Sequence, residues 1–291
     1  MAEPRTLMTG LVVGESPRWH EGRLWFSNWG AQEIVALDAA GTSEVVARVP
    51  TTIPFCIDWL PDGRLLVVSG PEARLLRQEV DGTFVTHADL SGLARTWNEI
   101  VVDGRGNTYV NGSDDEFRPG APFVPGLIAL VTPAGAVRPV ADDIHFPNGM
   151  VVAPDNKTLI VAESFAHRLT AFDVGEDGSL SNRRIWADLG MGGDGICLDA
   201  EGAVWSPAFP DGRPCCMRVR EGGEVLERID LDDFCFACAL GGADRRTLFM
   251  LVAEWRGMEH MAELFRTRTG RVLTARAPVP GVARRNEGAA A

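Results

Sequence analysis

From Glu15 to Met250 the chain repeats one pattern of polar and apolar positions. A polar or small side chain leads, a mostly apolar run follows, and a turn then opens a strand rich in branched residues. The copies read ESPRWHEGRLWF from Glu15, CIDWLPDGRLLVV from Cys56, NEIVVDGRGNTYV from Asn98, NGMVVAPDNKTLIV from Asn148 and DGICLDAEGAVW from Asp194. A sixth runs from Phe236 to Met250. An apolar residue precedes every turn (Trp19, Leu60, Val102, Val152, Leu198, Leu240), and counting back four from each fixes the register at Glu15, Cys56, Asn98, Asn148, Asp194 and Phe236. These starting points lie 41, 42, 50, 46 and 42 residues apart. That is the length of a propeller blade and too short for most α/β units. The pattern predicts an all-β fold, a six-bladed β-propeller with four-stranded antiparallel blades.

Short alternating segments after each repeat supply the outer strands, for example Glu33 to Asp38 and Ser43 to Arg48 in blade one. In blade six the strands are expected over Arg246 to Ala253, Glu263 to Arg268 and Arg271 to Ala275. Arg5 to Val12 is predicted to close the ring there, because an unclosed sheet exposes unpaired backbone. The Gly-, Pro- and Asp-rich stretch from Ser113 to Gly126 lengthens blade three and is expected as a loop on the rim, over the pocket. Only Met258 to Leu264 has helical character, and no GxGxxG follows a strand, which excludes a dinucleotide-binding domain. Residues 1–280 are read as one domain and 281–291 as a disordered tail.

Composition narrows the partners. A formal charge of −12 and a pI near 4.9 oppose nucleic-acid or anionic-membrane surfaces, which need clustered Lys and Arg. The expected partners are small molecules or cations, with the chain a monomer or small homo-oligomer. Met1 to Gly10 lacks the basic start and apolar core of a signal peptide, so a cytoplasmic location is expected. Six cysteines, one adjacent pair and a lone CxxC among them, are too few for a disulfide framework and suit buried packing better than zinc.

Equivalent positions of six blades form a ring about the central axis. Four members of this ring, Glu15, Asn98, Asn148 and Asp194, carry side-chain oxygens. Two carboxylates and two amides are hard donors with two negative charges, a set for Ca²⁺, Mg²⁺ or Mn²⁺. At this point the chain resembles a known family. Glu15-Ser16-Pro17-Arg18-Trp19, Phe146-Pro147-Asn148-Gly149-Met150 and Gly193-Asp194-Gly195-Ile196-Cys197 look like signature segments of the SMP-30/gluconolactonase/LRE family of six-bladed propellers, in order and over Glu15 to Leu251. The resemblance implies one divalent cation, most readily Ca²⁺ with Mg²⁺, Mn²⁺, Zn²⁺ or Fe²⁺ as alternatives, bound by Glu15, Asn148 and Asp194. It also implies a substrate- or water-holding Asn98, a proton acceptor in Asp194, and a metal-dependent hydrolase opening a lactone by activated water. A non-catalytic Ca²⁺- or small-ligand-binding propeller and a phosphotriester hydrolase are the alternatives.

The third-blade segment departs from the sugar-lactone members. Thr96, Glu99 and Ile100 occupy places where the resemblance implies Arg and Asp-Gly, and Trp97 stands between. Trp97, Phe55 and His145 are therefore expected to join Asn98 around the substrate. Such an aromatic mouth makes a lactone or ester less polar than a sugar-acid lactone a substrate to consider.

Overall fold

Because side chains alternate across a strand, each blade sends one apolar set toward each neighbour. Blade two shows the rule. Ile57, Trp59, Leu65 and Val67 pack on Trp25 and Ile34 of blade one. Cys56, Leu66, Val68 and Leu75 face the other way, onto Trp97, Ile100 and Val110 of blade three. Buried on both faces, the strands Phe55–Trp59 and Leu65–Ser69 can be apolar almost throughout. Six clusters of this kind join every pair of neighbouring blades, the last joining six to one.

The computed structural model describes residues 3–51, 53–115 and 122–283. It is a six-bladed propeller of four-stranded antiparallel sheets. The inner strands are Gly14–His20, Phe55–Trp59, Thr96–Val102, Pro147–Val152, Cys197–Leu198 and Phe234–Gly241. In blade six the order is Phe234–Gly241, Thr247–Ala253, Gly270–Arg276 and then Arg5–Leu11. Pairing from Arg5 with Thr274 to Leu11 with Gly270 makes the N-terminal strand the fourth of the last blade, as expected.

Aspartates hold the turns. Asp38, Asp62, Asp103, Asp155 and Asp177 each accept the N–H two residues on, so much of the acidic composition is turn chemistry.

Two expectations differ from what is seen. Glu263 to Arg268 is not a strand, because Met261–Leu264 forms a helical turn and the N–H groups of Phe265 and Thr267 return to Met261 and Glu263. Leu264 is buried against Val13, Phe236 and Ala253, so packing of one side of a helical turn prevails over alternation. Nor does the chain leave the fold at 281. The Gly281 N–H bonds the Arg245 carbonyl and the Val282 N–H that of Leu198, while residues 284–291, where the rest of the tail is expected, lie outside the described residues. Residues 116–121 of the expected rim loop lie outside them too. Among the described residues no helix is long and apolar enough to cross a membrane.

Candidate metal centre

The inner strands lose regular pairing where the repeat places its leading residue. Register slips between Glu15 and Arg18, Trp97 and Ile100, Pro147 and Met150, and Cys235 and Ala237. A bulge frees residues from the ladder and re-aims their side chains. Asn98, Asn148 and Phe236 lie inside these slips and Glu15 at the edge of one, next to Ser16, whose φ is 51°. Blade five reaches the same result by keeping only Cys197–Leu198 in its inner ladder. Asp194 precedes that ladder, and the Gly195 N–H anchors the segment to the Phe236 carbonyl of blade six. Blade two alone pairs regularly there, and its Cys56 packs into the core.

These departures bring the predicted donors together. A Cβ on Gly149 would lie 2.4 Å from the Asp194 carbonyl oxygen, so only glycine lets the Asn148 strand approach this closely. Asn148 Nδ2 donates to Ser164 Oγ at 3.3 Å, and its amide lies near enough to Asp194 to favour the charged carboxylate. With Nδ2 engaged, Oδ1 is the atom left for the channel. Glu15 is 4% exposed; burial first, then the Asp194 and Glu99 carboxylates, push its carboxyl well above the ordinary range. Asp194 is pushed up as well, by burial and then by Glu99. Asp194 Oδ1 is buried without a hydrogen-bond partner.

Two crowded carboxylates and an orphaned oxygen are what a divalent cation relieves, and oxygen-only donors fit a hard ion. Among the described residues no three of His, Cys, Asp and Glu group as ligands, so amide oxygen must complete such a set.

Comparison with known proteins identifies the family. The family model described as SMP-30/gluconolactonase/LRE-like region matches residues 13–254. The chain belongs to this family. It is 26% identical to regucalcin of Xenopus laevis over 251 residues, 83% of each chain. A 6-deoxy-6-sulfogluconolactonase of Pseudomonas putida is 32% identical over 164 residues, 54% of this chain and 55% of that one. The solved structure of a calcium-binding regucalcin from Agrobacterium tumefaciens superposes with a TM-score of 0.76 at 21% identity, covering 98% of both chains.

Within this SMP-30/gluconolactonase fold the other predicted residues divide. Asn98 is half-buried in its bulge beside Glu99. His145 is half-buried at the blade-four entrance, its N–H on Glu163 and its ring 5.3 Å from Phe123. Trp97 and Phe55 are fully buried in the cores between blades, and the Trp97 Nε1–H is spent on the Ala94 carbonyl. A sealed ring has no face for a substrate, so their position speaks for packing. All six cysteines are free, and burial pushes every thiol upward, Cys215 to about 11.

The structure adds residues that the repeat pattern did not single out. Glu99 Oε1 accepts from Ser16 Oγ, the Ile100 N–H and, at 3.1 Å, Arg18 Nη2. Asn111 donates to the Asn148 carbonyl at 2.7 Å and accepts the Glu99 N–H, tying blade three to blade four under the ring. Their signal in sequence is faint: a carboxylate directly after a ring residue, and a lone amide in the buried strand Thr108–Ser113.

Proposed function

We propose that this protein is a divalent-metal-dependent hydrolase that opens a lactone with water, with Glu15, Asn148 and Asp194 holding the cation, Ca²⁺ in the first instance. The observation that carries the proposal is the buried, unpartnered Asp194 Oδ1 close to the Glu15 and Glu99 carboxylates. A cation bound there would supply Lewis acidity, polarising the carbonyl, acidifying the attacking water and compensating the developing oxyanion.

The chain's own groups supply the rest. Asp194 receives the proton given up by water, because its Oδ1 has no hydrogen-bond partner of its own. Asn98 presents an amide that hydrogen-bonds the substrate or the water and fixes the line of attack. Glu99, held by Ser16 and Arg18, adds negative charge that strengthens cation binding. The lactonase name of the Pseudomonas putida relative and the SMP-30/gluconolactonase family support this reading. The regucalcin likeness, and the calcium binding ascribed to the Agrobacterium tumefaciens protein, favour a cation-binding role even without catalysis.

A panel of lactones, aryl esters and phosphotriesters followed by pH indicator, with chelator and with Ca²⁺ restored, tests the reading. Lactone opening that chelation abolishes and Ca²⁺ restores is expected. Turnover of phosphotriesters alone, or of nothing while Ca²⁺ still binds, would replace it with one of the other two readings.

A further inference from the structure

We infer that the substrate is a lactone carrying an apolar alkyl or aryl group rather than a polyhydroxylated sugar lactone; this rests on the hydrolase reading above and names its substrate class. Aromatic walls stand on the two blades that flank Asp194. Phe146 and Phe165 of blade four stack with centroids 4.6 Å apart, and Phe123, from the segment that lengthens blade three, lies 5.5 Å from Phe165. On blade six, Phe236 packs edge-on to Phe234 at 4.9 Å and to Trp255 at 6.1 Å.

Both walls are fastened to the ring. The Ser164 N–H bonds the Phe146 carbonyl, the Phe165 N–H that of His145, and Asn148 Nδ2 reaches Ser164 Oγ. The Phe236 carbonyl takes the N–H of Gly195, the residue after Asp194. Phe165 and Phe123 are nonetheless 49% and 40% exposed. Adjoining exposed rings beside a set of polar donors mark a binding surface.

Among the described residues, several polar side chains around these rings are already engaged within the protein. Ser164 donates to the Gly193 carbonyl at 2.5 Å. Glu163 accepts from Arg168, Arg183 and Thr170, and Asn111 bridges Glu99 and Asn148. Hydroxyl groups laid against the aromatic walls would lose water there without a partner, whereas an alkyl group gains by leaving water.

The test is a homologous series of γ-lactones of increasing alkyl length beside D-glucono-1,5-lactone, with binding of the matching non-hydrolysable lactams measured by calorimetry in Ca²⁺. Expected are a kcat/KM that rises with each methylene, up to about fourfold where the chain is fully covered, and slower opening of the glucono-lactone. Phe165→Ser, at a half-exposed position, should flatten that rise with little change in Tm. Lactones opened with no chain-length dependence, or glucono-lactone preferred, would overturn the inference and leave the hydrolase standing. Lactams bound with rising affinity while no lactone opens would keep the apolar preference of the site and remove the hydrolase. Neither binding nor opening would remove both.

Discussion

At the residue scale, Asp194 carries two demands that conflict. Coordination of a cation favours its charged form and weakens it as a base, while burial and Glu99 push its carboxyl upward. Asp194→Asn keeps size and one oxygen but removes the charge and the proton acceptor. At saturating metal this variant should still lose about 10²-fold or more in kcat, the scale of a positioned general base. Asn148→Asp should mainly change metal affinity and lose less. Measuring kcat for both across a metal titration separates the roles, and full recovery of Asp194→Asn at high metal would reduce Asp194 to a ligand. The four oxygen-bearing ring positions could be read in the sequence because the repeat fixes their register, with no knowledge of contacts needed. Glu99, Asn111 and Ser164 could not, because their roles depend on partners in other blades or distant strands. Trp97 and Phe55 mislead for the same reason, since proximity to a ring residue in sequence does not reveal whether an aromatic faces the channel or the next blade.

At the element scale, the fold depends on neighbouring inner strands meeting closely and on the last blade being completed by the first strand. A Cβ at Gly149 would meet the Asp194 carbonyl oxygen at 2.4 Å and the Ile196 nitrogen at 2.5 Å, both backbone atoms that cannot rotate away. Gly149→Ala should therefore force blades four and five apart, cost about 1–3 kcal/mol as overpacking does, and weaken cation binding because Asn148 and Asp194 separate. Thermal unfolding and Ca²⁺ titration of this variant check both effects; unchanged affinity would mean that the two strands need not touch. Removing residues 1–9 takes away most of Arg5–Leu11 and leaves the edge of Gly270–Arg276 unpaired. The Tm should fall by about 5 °C or more, the scale for a loss of about 3 kcal/mol in a chain of this size, and a monomeric, equally stable deletion would deny closure. Strand positions were readable because alternation and turn residues recur in each blade. The stretch from Glu263 to Arg268 was not, because Leu264 is placed by its burial against Phe236 and Val13, both far from it in sequence.

At the scale of the whole molecule, the acidic balance has more than one origin. Exposed aspartates such as Asp62, Asp81 and Asp177 close turns, and their hydrogen bonds to Arg64, Thr83 and Ser179 hold them below the ordinary carboxylate range. Glu15 and Asp194 move in the opposite direction, through burial first and neighbouring carboxylates second. A raised folded pKa means that the folded chain binds more protons than the unfolded one between the ordinary value, about 4, and the raised one. Stability of the chelated protein should thus fall as pH rises through that window. Saturating Ca²⁺ should remove this slope, because it holds both groups deprotonated, so the gap between chelated and loaded Tm should widen from acid to neutral pH. A gap independent of pH would mean that the cation binds elsewhere. The most direct test of the central claim is a Ca²⁺ titration of chelated protein in which binding, by calorimetry, and opening of an alkyl lactone are followed together. The account predicts one ion per chain, a rate that rises with the same midpoint as binding, and loss of both in Glu15→Gln. Lactone opening at full rate without bound metal, or binding that Glu15→Gln leaves intact, would contradict it.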